Sequence, residues 1–485
     1  MKRIMTLVLA AAFAFGSLGV ANAQSGVDVK VQGAFDFTFG WAEMSFKDSR
    51  RMADDLNDRN DDNFIAAQRV RTQINFIASE NLQGVLFFEI GVINWGNNNG
   101  NGSVGRGSGG SLAADGVNIE TRRAYIDWMV PETGLSIRMG IQGLTLPTAT
   151  DMGVILFDND VAAITANYAF NDTFGITAFW ARPFNQNITD GDRKSWDDEM
   201  DMFGVVLPVT LDGASITPWF LWANIGSASG FHAAMLDTDE GYRQNDSAAG
   251  WWLGIATSVD LFDPLTFAFD VVYGSVSHVS LLAMDGHWDN TTKWDARGWA
   301  VDARIDYAFD FGTLGIFGWW STGDSTAGLN AGRLGRMPSG FFSDTGFGPT
   351  SFGWDNGFGM GNQAAAVGYS IAGTWGVGIQ LADFSFIEDL SHTLRFAYYS
   401  GTNDKEIIAA GKEPAGFGSL YLTDGDDAWE INFDHTYQIY ENLTMCLELG
   451  YIHLDLDKVW NGSDTWGTDK TNDAWKAQIH FNYSF

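Results

Sequence analysis

"WKAQIHFNYSF" closes the chain at residues 475–485. Apolar side chains at Trp475, Ala477, Ile479, Phe481, Tyr483 and Phe485 alternate with polar ones at Lys476, Gln478, His480, Asn482 and Ser484. A period of two belongs to a strand with two unlike faces. Terminal residues of soluble domains usually fray, because nothing offsets the entropy of ordering them. A regular strand that ends on an aromatic residue asks for a partner strand and for an apolar environment along one face.

The same alternation recurs along the chain. "VDVKVQGAFDFTFGW" (27–41), "LTFAFDVVY" (265–273) and "WEINFDHTY" (429–437) each place their large apolar residues on one face. "WAVDARIDYAF" (299–309) sets Trp299, Val301, Ile305 and Tyr307 against Asp302, Arg304 and Asp306. Short turns at 79–81, 131–134, 171–173, 211–214, 262–264, 310–313, 387–391 and 440–442 alternate with long polar connections at 47–62, 96–118, 143–160, 185–200, 227–248, 279–296, 322–364, 402–427 and 457–472. The runs between them number 18, with 16 as the alternative count if 365–386 or 428–456 is read differently.

Strict short and long alternation sends every long connection to one rim. Aromatic residues at strand ends (Trp41, Trp128, Trp180, Trp299, Trp429, Tyr437, Tyr451) suit interfacial girdles. A soluble sandwich would not need them. Strands in lipid cannot leave free edges, so they close into a transmembrane antiparallel β-barrel. The opposite register would put Asp302, Arg304 and Asp306 in lipid, at about 2–4 kcal/mol per basic residue at mid-bilayer. These three residues are therefore expected on the lumen side.

Lys2 and Arg3, the apolar run "IMTLVLAAAFAFGSLGV" and the small residues "ANA" at 21–23 read as a cleaved secretory signal. Residues 24–485 then form a single barrel domain. Removing 1–23 takes away two basic and no acidic residues, so the formal net charge moves from −32 to −34. That balance argues against nucleic acid as a partner. Cys446 is the single cysteine, which excludes an internal disulfide framework.

The signal segment, the loop 143–160 and the terminal phenylalanine together resemble the trimeric bacterial outer-membrane porins, most closely the homotrimeric porins of sulfate-reducing bacteria. The resemblance implies a Gram-negative outer-membrane location, a homotrimer, contact with lipid and lipopolysaccharide, and insertion by the barrel assembly machinery. Ile479, Phe481, Tyr483 and Phe485 match the family's assembly signal. It also implies that the loop "GLTLPTATDMGVILFDND" (143–160) folds inward as a constriction. Asp151, Asp158 and Asp160 then match its acidic loop, and Arg69, Arg71, Arg123 and Arg138 match the basic wall. The plainer alternative pairs these arginines with wall carboxylates such as Glu89 and Asp127.

Other motifs are weaker. "GRGSGG" (105–110) lacks the strand and helix of a dinucleotide site. The acidic run 54–64 lacks the Gly and Glu of an EF-hand, leaving only weak calcium bridging in a loop. His278, His287, His392, His435, His453 and His480 show no zinc-ligand spacing. No catalytic constellation accompanies Ser277 and His278, which an outer-membrane barrel enzyme would need. The expected function is a water-filled channel for passive diffusion of small hydrophilic solutes and ions, filtered by size and by charge. The alternative is a substrate-specific porin with a lumen binding site, for which Tyr125 and Tyr399 give no continuous aromatic track.

Overall fold

The computed structural model describes residues 26–43, 63–96, 109–112, 116, 119–150, 152–186, 197–227, 229, 247–277, 295–339, 342–343, 371–409, 422–457 and 473–485. The signal segment 1–23, Asp151, His278, His287 and residues 54–62 and 105–108 lie outside them.

Eighteen antiparallel strands form one closed barrel. In chain order they are β1 (Asp28–Glu43), β2 (Asn63–Ser79), β3 (Leu82–Asn94), β4 (Ile119–Met129), β5 (Leu135–Thr145), β6 (Phe157–Ala169), β7 (Gly175–Asn185), β8 (Glu199–Val206 and Val209–Leu211), β9 (Ala214–Ile225), β10 (Ala248–Phe262), β11 (Leu265–Ser277), β12 (Asp295–Phe309), β13 (Gly312–Ser321), β14 (Thr374–Ile387), β15 (Leu390–Gly401), β16 (Asp427–Tyr440), β17 (Leu443–Asp455) and β18 (Asp473–Ser484). β8 is one strand in two pieces because Pro208 has no N–H for the ladder. Both pieces pair with β9. The expected 18-strand count holds, and all eight short turns fall between consecutive strands.

Closure is made by the first and last strands, β1 and β18. β1 pairs with β18 from Ala34↔Ser484 to Glu43↔Trp475. The last strand is thus an interior member of the sheet, with β17 on its other side.

The two faces differ as the alternation requires. On β12, Asp302 is 1% exposed, whereas Ile305 is 43% and Trp299 47% exposed. Outward aromatics pair near the rim that bears the long connections, as in Trp251–Tyr273 at 5.3 Å, Tyr273–Trp299 at 4.8 Å and Trp429–Tyr451 at 5.3 Å. A second set lies near the short turns, with Tyr168–Phe170 at 5.0 Å and Tyr307–Phe309 at 4.6 Å. An apolar outer surface bounded by two aromatic belts is stable against lipid and not against water. Protease treatment in detergent should therefore cut the chain only in the long connections. Cleavage within 265–273 or 299–309 of the native protein would contradict the barrel.

The inner face is not uniformly polar. Phe179 on β7, Met200 and Met202 on β8, Trp219 and Leu221 on β9, and Trp252 on β10 are buried in one apolar cluster. It is completed by residues of three connections, Leu146, Met152, Ile155 and Leu156 between β5 and β6, Leu334 and Met337 between β13 and β14, and Ile407, Ile408 and Leu422 between β15 and β16. Each such side chain contributes about 1.5–3 kcal/mol when fully buried. This side of the lumen near the long-connection rim is filled with packed side chains.

Candidate functional site: a latched loop and a paired basic wall

The connection between β5 and β6 runs over residues 146–156. It is shorter than the expected 143–160, because both flanking strands extend into that stretch. Leu146 N–H donates to Phe157 O at 2.9 Å and closes its base. From there the loop crosses to Asp270 on β11. The Thr148 hydroxyl donates to Asp270 Oδ2 at 2.7 Å, and the Thr150 hydroxyl to the same oxygen at 3.4 Å. The Ala149 N–H lies 3.0 Å from both carboxylate oxygens. Asp270 is 2% exposed. The loop is therefore folded inward and latched to a strand several positions around the barrel.

This latch is a contact that the sequence expectation did not contain. Asp158 and Asp160 lie on β6 and not on the loop, while Asp151 lies outside the described residues. The carboxylate of the latch belongs to the wall, and the loop supplies the donors. Next to Asp270 in register stands Asp302 on β12, which is 1% exposed. Arg304, two residues on, is bonded to Asp306 at 2.7 Å.

A second connection meets the loop. Residues 342–343 pair in parallel with Phe157 and Asp158 at the start of β6. Earlier in the same connection, Arg333 and Leu334 pair in parallel with Asp295 and Ala296 of β12. The Trp252 indole N–H donates to Pro338 O at 2.8 Å. These two connections, from distant parts of the chain, thus both pack into the apolar side of the lumen.

The four expected wall arginines lie on β2, β4 and β5, each with a carboxylate partner. Arg69 reaches Asp36 at 3.5 Å and Arg71 reaches Glu89 at 2.6 Å. Arg123 reaches Asp160 at 2.6 Å. Arg138 forms a two-pronged pair with Asp127, at 2.6 and 2.9 Å, and stacks 4.3 Å from the Tyr125 ring centre. This is the pairing that the plainer reading of the sequence described for Glu89 and Asp127.

Arg122 was missed by that reading. It bridges Glu89 at 3.0 Å and Asp160 at 2.8 Å, joining Arg71, Glu89, Arg122, Asp160 and Arg123 into one network. The register of β3 and β4 shifts between Phe87 and Phe88, a bulge that re-aims neighbouring side chains. The Arg122–Arg123 doublet was the available signal, but simple alternation sends one of the two away. Gly143 makes room for the crossing, since a Cβ there would lie 2.8 Å from the Arg123 guanidinium carbon.

No protein-family model matches the chain, and no curated protein matches it by sequence. Solved structures do match. Pseudomonas aeruginosa OpdK, solved with vanillate, has a TM-score of 0.51 at 10% identity, covering 95% of this chain and 100% of that one. Acinetobacter baumannii OccAB3 has a TM-score of 0.51 at 10% identity, covering 94% and 99%. Pseudomonas aeruginosa OccK8 (OprE) has a TM-score of 0.51 at 11% identity, covering 95% and 99%. The likeness spans the whole barrel and is one of fold.

Proposed function

We propose that the chain is an outer-membrane channel of a Gram-negative bacterium, of the substrate-specific kind and not a plain size filter. The observation that carries this reading is the inward loop 146–156 tied to Asp270. A wide barrel narrowed by an ordered loop forces solutes against wall side chains, where charge and hydrogen bonding decide passage. That a chain of the same fold was solved with vanillate supports a solute site within the lumen. Arg69, Arg71, Arg123 and Arg138 form the basic side of the constriction in this proposal. Homotrimeric assembly and contact with lipopolysaccharide, implied by the porin resemblance, are parts of the same proposal.

Purified protein in planar bilayers should give stepwise ion currents that a permeating solute interrupts. Steps without interruptions by any small solute would favour a plain diffusion pore. Neutralising Arg69, Arg71 and Arg138 together removes three positive charges from beside Asp36, Glu89 and Asp127. Cation preference should rise in that variant, most at low salt, since the Debye length is about 8 Å at physiological ionic strength and shorter above it. Reversal potentials equal to wild type at high and low salt would remove these arginines from the ion path.

A further inference from the structure

A cavity of about 560 Å³ lies against β2–β6, between the short turn at 79–81 and the base of the inward loop. Its polar lining includes Gln83, Asp127, Ser136, Arg138, Thr165 and Asn167. Register places these residues in neighbouring rungs of one face. Gln83 is opposite Asp127, Asp127 opposite Arg138, Arg138 opposite Thr165, and Ser136 opposite Asn167.

On the strand face of this lining the charges cancel, and the one further charged residue, Glu80, stands in the turn 79–81. The fork of Arg138 is held by Asp127 through two short bonds, and Gln83 donates to the same carboxylate at 3.2 Å. A bidentate pair of this kind leaves no net field to favour an anion or a cation. The remaining polar groups of the strand face are amides and hydroxyls with capacity to spare. Gln83 uses one end of its amide on Asp127, and Asn167 uses one end on the Thr177 hydroxyl at 2.6 Å. Donor and acceptor sites therefore alternate along a strand face without net charge, and Glu80 at the turn disfavours anions further. Carboxylates only accept and ammonium groups only donate, whereas a hydroxyl does both.

Resting on the reading of the chain as a channel, we propose that this cavity selects uncharged solutes bearing several hydroxyl groups, of about monosaccharide to disaccharide size. An organic anion such as vanillate would have to take Arg138 from Asp127 and leave that carboxylate unpaired. That exchange costs more than it returns in a partly buried setting.

Proteoliposomes test this with glucose, gluconate and vanillate, alongside chloride conductance of the same preparation. Glucose should enter faster than gluconate of equal size. In the double variant Gln83→Ala with Asn167→Ala, the ratio of glucose flux to chloride conductance should fall about fivefold, the worth of one lost hydrogen bond. Faster entry of gluconate or vanillate than glucose would overturn the proposal, and so would an unchanged ratio in the double variant. Absence of any chloride conductance in wild type would instead remove the channel reading beneath it.

Discussion

Replacing Asp270 with Ala should make the channel flicker to a wider state. The carboxylate accepts from Thr148, Ala149 and Thr150, and hydrogen bonds to a charged group contribute about 1.5–3 kcal/mol each. Losing a net 3 kcal/mol or so shifts the ratio of unlatched to latched loop by about a hundredfold. The loop would not leave the lumen altogether. Met152, Ile155 and Leu156 stay buried in the apolar cluster, and their combined burial outweighs the latch at about 1.5–3 kcal/mol per side chain. Only the segment around 148–150 should move.

Single-channel records should thus show brief excursions to a higher conductance in Asp270→Ala and rare ones in wild type. Asp270→Asn, which keeps one acceptor oxygen, should fall between them. Asp302→Asn should act in the opposite direction, because it removes a like group directly across the strand pair and adds an amide donor beside Asp270. Identical dwell times in all four proteins would show that Asp270 does not hold the loop.

The contrast between Asp270 and the expected loop acids shows where sequence reading ends. Alternation told which residues of β12 and β18 share a face, because strand geometry is local and fixes the side of every second residue. Turn chemistry, as at 131–134 and 211–214, marked the eight short connections for the same reason. The partner of Thr148 stands 122 positions away, and no local pattern carries such information. A similar limit applies to the apolar side of the lumen. Met200, Met202 and Trp219 alternate correctly, yet whether an inward face meets water or a folded-in connection depends on loops from elsewhere. Arg122 was hidden by a single bulge that broke the alternation.

Deleting Phe485 should separate folding from insertion. Its N–H donates to Gly33 O at 3.0 Å, and the Gly33 N–H donates to Phe485 O at 3.0 Å. The ring lies 5.8 Å from that of Phe35, over the place where a Cβ on Gly33 would meet it at 2.9 Å. Two hydrogen bonds at about 1 kcal/mol each and two aromatic contacts, with Phe35 and Tyr483, at about 0.5–1.5 kcal/mol each make a loss of roughly 3–5 kcal/mol. The seam between β1 and β18 keeps its pairs from Ala34↔Ser484 to Glu43↔Trp475. Its inner face keeps the Asn482–Asp36 bond at 2.7 Å and the Thr38–His480 contact at 3.1 Å. Refolding into detergent should therefore survive the deletion with a modestly lower melting temperature. Outer-membrane insertion in cells should instead fall steeply, if Ile479, Phe481, Tyr483 and Phe485 are read as an assembly signal. Removing 473–485 should abolish both, since β1 and β17 would be left as open edges in lipid. Parallel loss of refolding and insertion on deleting Phe485 alone would make the residue structural, and normal insertion would make the terminal aromatic dispensable.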